Sequence, residues 1–201
     1  MKKYDDIVYD VVRNNIELID AGDFDKFFRI AAYELNSTNM ANLASMFKTA
    51  NIDPIPHMTY LPECWHMFSM SEKIDIPRNI QMIGHKCFIA SDISHILIPS
   101  SVIEVGESAF ENCDYLTTVT IEEGLKRLGD DCFYGCTELR TVKLPKSLES
   151  IGHYIFGQCE YLQEIDYMGT QEDWYKIHNN QYVNEAGYIS KINCSNGTIK
   201  L

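Results

Sequence analysis

The sequence predicts an α+β chain: a short β-solenoid of about four repeats of 22–23 residues, preceded by a three-helix unit and closed by a C-terminal cap. Three observations predict it. An apolar block recurs four times between Ile74 and Ile165, the hydrophobic period becomes helical before residue 60, and a tryptophan-bearing segment follows the last block.

In one unit the block is Ile121, Leu125, Leu128-Gly129, Phe133, Cys136, Leu139 and Val142. The preceding unit fills the slots with Val102, Val105-Gly106, Phe110, Cys113, Leu116 and Val119, and the next with Leu148, Ile151-Gly152, Phe156, Cys159, Leu162 and Ile165. The glycines at 84, 106, 129 and 152 are 22, 23 and 23 residues apart. Periods in this range mean a solenoid. The few apolar slots of one unit cannot offset the entropy of ordering its whole backbone, so each unit must cover its neighbour and the ends need caps.

This pattern resembles the BspA-type leucine-rich repeat, L-x-x-I-x-I-P-x-S-V-x-x-I-G-x-x-A-F-x-x-C. Ser101-Val102-Ile103-Glu104-Val105-Gly106-Glu107-Ser108-Ala109-Phe110-Glu111-Asn112-Cys113 carries the likeness, and Ile98-Pro99 and Leu144-Pro145 supply the strand-ending proline. Ser91 stands near the first Cys slot with one residue missing before Ile93, and Glu122 replaces a proline. The resemblance implies a leucine-rich-repeat solenoid that binds other proteins.

Before the repeats, Tyr4, Ile7, Val11, Val12, Ile16 and Ile19 recur at helical spacing until Ala21-Gly22. Asp23 can cap a second helix bearing Phe24, Phe27, Phe28, Ala31, Ala32 and Leu35. A third runs from Thr38 to about Ala50 with Met40, Leu43, Met46 and Phe47 on one face, closed by Pro54 and Pro56. Tyr60-Leu61-Pro62 then reads as an extended connector. The resulting division is a helical head over 1–60, repeats over 61–165 and a cap over 166–201. The head is either the cap of the first repeat or a recognition element of its own.

The tail resembles the segments that close such arrays, with Tyr167-Met168-Gly169-Thr170 and Trp174 followed by Ile192-Asn193-Cys194-Ser195-Asn196-Gly197-Thr198-Ile199. Trp174 is expected to cover the layer of Phe156 and Leu162, and Asn196-Gly197 to turn a hairpin.

Seven cysteines raise the question of disulfides or zinc. Cys136 shares its slot with Cys113 and Cys159, while Cys132 and Cys87 share theirs with Ala109 and Ile155. Free cysteine packs as a small apolar group, and the spacing is wrong for a structural zinc site. No metal and no cofactor is expected. Cys64-Trp65-His66 reads as the start of the packing of the first strand, and reduced thiols favour a reducing compartment.

Residues between the apolar letters of each strand face outward. That rule places Lys73, Asp75, His95, Leu97, Thr118, Thr120, Thr141, Lys143, Glu164 and Asp166 in adjacent rows as the candidate protein-binding face. No catalytic residue is assigned, and His95 has no nucleophile placed beside it by the register. The sequence holds no G-x-S-x-G, P-loop, H-E-x-x-H or G-x-G-x-x-G motif, which predicts no enzyme.

The net charge of −12 argues against direct nucleic-acid binding, because phosphates need a basic face. No stretch is apolar enough for a membrane span. The opening Met1-Lys2-Lys3-Tyr4-Asp5-Asp6 has no apolar run, which predicts a cytoplasmic protein. The expectation is a non-enzymatic protein–protein recognition module. Its layout resembles bacterial and phage-borne binders, and narrows the expectation to an inhibitor or adaptor acting on an intracellular bacterial protein. The alternatives are an acidic nucleic-acid mimic that blocks a DNA- or RNA-binding protein, and a surface adhesin-like binder. Homo-oligomerisation stays open.

Overall fold

The computed structural model describes residues 4–35, 37–50, 58–62, 74–185 and 187–201. Lys73, Cys64-Trp65-His66, Pro54 and Pro56 lie outside the described residues. Four helical segments come first: α1 (Tyr4–Asn14), α2 (Ile16–Asp20), α3 (Phe24–Glu34) and α4 (Ser37–Ala50). The first expected helix is thus broken in two at Asn15, whose backbone leaves helical geometry at φ −124 and ψ 19. Its side-chain amide donates to the Val11 carbonyl at 2.9 Å, a local bond of the kind by which asparagine competes with helix continuation. Gly22 follows at φ +73, and Asp23 caps α3 by accepting the Lys26 N–H at 3.3 Å.

Phe27, Phe28, Met40, Leu43 and Phe47 are buried in the head, and the Phe47 ring centroid lies 5.8 Å from that of Phe27 and 5.6 Å from that of Phe28. The head is tied to the array through Asp25. Its carboxylate accepts the backbone N–H of Thr59 at 2.9 Å and of Tyr60 at 3.2 Å, and Arg29 lies over the Tyr60 ring at 4.9 Å.

Two sheets build the solenoid, parallel throughout except for the hairpin that ends the second. One holds the two-residue strands β1 (Tyr60–Leu61), β2 (Met82–Ile83), β4 (Glu104–Val105), β6 (Arg127–Leu128) and β8 (Ser150–Ile151), in that order. The other runs β3 (His95–Ile98), β5 (Thr118–Ile121), β7 (Thr141–Leu144), β9 (Glu164–Tyr167), β10 (Lys191–Cys194) and β11 (Gly197–Lys200). Tyr60-Leu61 is therefore a rung of the first sheet and not a connector: Tyr60 pairs with Met82 and Leu61 with Ile83. At the other end His178 bridges Ser150 as a further rung.

Between the sheets run turns with a third ladder of hydrogen bonds. The N–H groups of Ser108 and Asp131 donate to the carbonyls of Asp130 and His153, each at 2.9 Å. Those of Phe110 and Phe133 donate to Cys132 at 2.8 Å and to Ile155 at 2.9 Å. The turns repeat a left-handed residue at Lys86, Ser108, Asp131 and Tyr154, with φ between 49 and 53. Such a conformation costs about 1–2 kcal/mol for a residue with a side chain, and the inter-coil bonds offset it.

The inner slots align as the repeat demands. Phe88, Phe110, Phe133 and Phe156 form one stack, with centroid separations of 5.1, 5.2 and 5.8 Å. Beside them the thiols of Cys113, Cys136 and Cys159 each donate at 3.2 Å to the carbonyl of the phenylalanine one coil back. Ser91, in the first such slot, departs from the pattern and donates to the Phe88 carbonyl of its own coil at 2.8 Å. Glu122 also gains from not being proline. Its N–H donates to the Ile98 carbonyl at 2.9 Å, and its carboxylate takes both Arg78 terminal nitrogens at 3.0 Å and the Ser100 N–H at 2.9 Å.

Of the six described cysteines all are free, and only Cys194 is not buried. Burial pushes the Cys159 thiol up to about 12 and holds that of Cys132 well above its ordinary value, so both stay protonated and unreactive at neutral pH. Titration of the native protein without reductant is expected to modify few thiols, Cys194 among them, and to approach seven after denaturation. Stoichiometric zinc in the purified protein would contradict a packing role.

The glycine column is a matter of close approach. A Cβ on Gly129 would meet the Glu107 nitrogen at 2.5 Å and the Gly106 carbonyl carbon at 2.6 Å, both backbone atoms of the preceding coil. Gly129→Ala is therefore expected to cost about 1–3 kcal/mol, as overpacking does. A chemical denaturation curve unshifted from wild type would mean that the coils can separate there freely.

After β9 the chain closes the array. Thr170 and Asp173 form a reciprocal cap on α5 (Gln171–Trp174), with bonds of 3.1 and 3.2 Å. Trp174 is 1% exposed, and its aromatic partner is Tyr167, edge-on at 5.2 Å. Phe156 and Leu162 are buried as well. The hairpin pairs Cys194 with Gly197, so its loop is Ser195-Asn196, one residue earlier than the sequence predicts. The cap sets that register: Ser195 N–H and hydroxyl donate to the Gly169 carbonyl at 2.9 and 3.1 Å, and Asn196 Oδ1 accepts the Gln171 N–H at 2.9 Å.

Candidate protein-binding face

Alternation along the six-stranded sheet decides which side chains reach solvent. Ile96 and Ile98, Val119 and Ile121, and Val142 and Leu144 point inward and are buried. The residues between them form two rows across the strands. His95 is paired with Thr118 and Thr118 with Thr141; Leu97 is paired with Thr120, Thr120 with Lys143 and Lys143 with Asp166. Glu164 lies on the same face two residues before Asp166.

Eight of the ten residues expected on this face are thus brought together on strands. Asp75 is exposed but lies outside any strand, and Lys73 falls outside the described residues. The rows also run further than expected. Lys191 is paired with Glu164 and Lys200, and Asn193 with Asp166 and Thr198. The alternation of Ile192 with its neighbours marks an outward side on β10, and only the parallel pairing with β9 joins that side to these rows.

Among these outward side chains Leu97 is 48% exposed, a large apolar group beside threonines. Glu164 is held by Lys191 at 2.8 Å and by the Asn193 amide at 3.2 Å, and Asn193 also donates to Asp166 at 3.1 Å. The hydrogen bond from Lys191, then that from Asn193, holds the Glu164 carboxyl below its ordinary range. Arg140 lies 4.4 Å over the Tyr161 ring and 2.8 Å from Glu138. With Thr141, Gln163, Glu164 and Asp166 these two line an open depression of about 210 Å³. Neither Arg140 nor Tyr161 was marked by the strand alternation, because both belong to the turn that leads into a strand.

One expectation needs correction. The Ser94 hydroxyl lies 3.0 Å from His95 Nε2, so a hydroxyl does stand beside this histidine. The pair are neighbours in sequence on an exposed surface, and no carboxylate orients His95 among the described residues. Geometry of this kind supplies two members of a nucleophilic triad, hydroxyl and imidazole, without the group that would orient the base. No group of three or more His, Cys, Asp or Glu poised to hold a metal occurs among the described residues.

The turns differ in charge from the sheet. Burial first, then Glu111, Asp130, Glu107 and Glu185, push the Asp131 carboxyl above its usual value. A second concavity, about 370 Å³, lies on the two-residue strands, where Glu104, Arg127 and Ser150 stand beside the glycine column. No described helix is long and apolar enough to cross a membrane.

The model of the BspA type leucine rich repeat region matches residues 59–188 in six copies. The chain belongs to the BspA-type leucine-rich-repeat family. Six copies agree with the six rungs β1, β2, β4, β6, β8 and His178. Family membership makes it a repeat module of the kind that recognises other proteins. No curated protein sequence gives a match.

Solved structures give partial likenesses. A leucine rich cell surface protein from Faecalibacterium prausnitzii is 23% identical with a TM-score of 0.46, over 51% of this chain and 34% of its own. A leucine-rich repeat protein from Bacteroides capillosus is 26% identical with a TM-score of 0.48, over 56% and 86%. One from Eubacterium ventriosum is 19% identical with a TM-score of 0.49, over 68% and 39%. This chain thus spans about a third of the first of these.

Proposed function

We propose that this BspA-type repeat protein is a non-catalytic recognition module that holds another protein on its six-stranded face. The observation that carries this reading is the pair of registered rows, in which exposed His95, Leu97, Thr141 and Lys143 adjoin half-buried Thr118 and Thr120. Short threonines ordered by a rigid sheet lose little entropy on binding. A narrower role as an inhibitor or adaptor inside a bacterial cell fits the helical head joined to a short array. The buried free thiols fit a reducing cytoplasm.

Hot spots cluster near the centre of an interface and leave a tolerant rim. Thr118→Glu or Thr120→Arg is accordingly expected to leave folding intact and remove the partner recovered in an affinity pull-down from bacterial lysate. Glu123 and Asp131 are unsuitable controls. Glu123 accepts the N–H groups of Lys146 and Ser147 at 2.8 and 3.0 Å, and Asp131 sits at φ +52. Exposed Glu107 serves instead, and Glu107→Gln should be silent. If the Thr variants bind normally, the strand face is not the site.

A second reading, an acidic nucleic-acid mimic, draws on the carboxylates gathered around Asp131. It requires that Glu107→Gln combined with Glu111→Gln weaken binding while Thr120→Arg does not.

A further inference from the structure

We propose that the partner presents an acidic segment to the strand face, with Lys143 receiving a carboxylate and Leu97 an apolar side chain. This rests on the strand face being the binding surface. The chain's net charge of −12 points the other way, toward a basic partner. Local charge decides, because exposed charges further apart than about 8 Å are largely screened at physiological ionic strength.

On the strands of this face Lys143, Lys191 and Lys200 stand against Glu164 and Asp166, and exposed Asp75 lies one coil further out. The face is near neutral while the chain is strongly acidic. Both strand carboxylates are already engaged within the fold, Glu164 by Lys191 and Asn193, and Asp166 by Asn193. Lys191 is spent on Glu164, and Arg140 is committed to Glu138 and Tyr161. Lys143 and Lys200 make no ion pair among the described residues, and of the two only Lys143 lies on a central strand.

Asp166 keeps its charge beside a neutral amide but is half-buried, whereas Lys143 is exposed, so the exposed charge that the central strands offer without an ion pair is a cation. Leu97, Thr120 and Lys143 follow one another in a single row on β3, β5 and β7. At about 4.8 Å per strand the apolar and cationic ends lie about 10 Å apart, with a hydroxyl between them. An acidic segment carrying an apolar side chain at that distance satisfies all three. A basic segment would leave Lys143 facing a like charge, which disfavours the complex.

The test is a random-peptide display selection on the full chain at physiological salt, followed by affinity measurements of enriched peptides on variants. The expected enrichment is in Asp or Glu together with an apolar residue. Lys143→Glu should weaken those peptides about tenfold or more, Lys143→Arg should bind near wild type, and Thr120→Glu should abolish binding. Lys143 is exposed, so unchanged melting of the variants shows that folding is not the cause. Enriched peptides that are sensitive to Thr120→Glu but indifferent to Lys143→Glu overturn the acidic chemistry and leave the strand face standing. Peptides indifferent to both overturn the strand face itself. Basic peptides lost on neutralising Glu107 and Glu111, or a selection that enriches nothing acidic, overturn the proposal.

Discussion

Phe133→Ala is expected to lower stability by about 3–5 kcal/mol, which for a chain of this size lowers the melting temperature by roughly 6–20 °C. Phe133 is fully buried and sits inside the aromatic stack, 5.2 Å from Phe110 and 5.8 Å from Phe156. Truncation removes the ring and leaves a cavity that flanking coils, pinned by hydrogen bonds on three sides, cannot close. Phe110→Ala should cost a similar amount. Because the two rings touch, their effects should depart from additivity by about 0.5 kcal/mol or more. Denaturation of the two single variants and the double variant checks this. Losses below about 1 kcal/mol at both positions would mean that the stack does not carry the array.

The second large effect is at the closing end. Among the described residues Trp174 is the largest fully buried side chain, and Tyr167 meets it edge-on. Trp174→Ala is expected to cost about 3–5 kcal/mol and to open the last coil to solvent, since terminal units of an array fold only against a cap. Hydrogen exchange should show this as faster exchange in β9 and β10 than in β5. Uniform exchange across all strands, or wild-type stability, would show that α5 is dispensable.

Much of this fold was legible because a repeat states the same constraint several times. Four phenylalanines, three cysteines and four glycines in register leave one arrangement in which each slot meets its counterpart in the next coil. The head was legible through its helical period, although the break at Asn15 was not. It depends on a side-chain amide bonding its own backbone.

The left-handed turn positions were not legible either. Lys86, Ser108, Asp131 and Tyr154 share a conformation without sharing a residue type, because the inter-coil hydrogen bonds impose it. The first rung, Tyr60–Leu61, was missed since Pro62 stands where later coils have glycine.

The candidate site was half legible. Alternation placed the outward residues of β3, β5, β7 and β9 on one face, and strand pairing puts them in rows. It did not reveal that Lys191 and Asn193 extend those rows, Lys191 pairing with Glu164 and Asn193 donating to Asp166. That depends on β10 joining the sheet in parallel with β9, after a cap of more than twenty residues. The charge that a partner meets follows from this tertiary fact, and the net charge of the chain gives the opposite impression.

The most direct test of the strand face against the head is the affinity of a purified partner for two single variants, Thr120→Arg on β5 and Tyr9→Arg on the exposed side of α1, each confirmed as folded by its melting curve. The strand-face account predicts that Thr120→Arg abolishes binding and that Tyr9→Arg leaves it within about twofold of wild type, as rim and remote positions do. Loss of binding with Tyr9→Arg and full binding with Thr120→Arg would contradict it and make the helical head the recognition element.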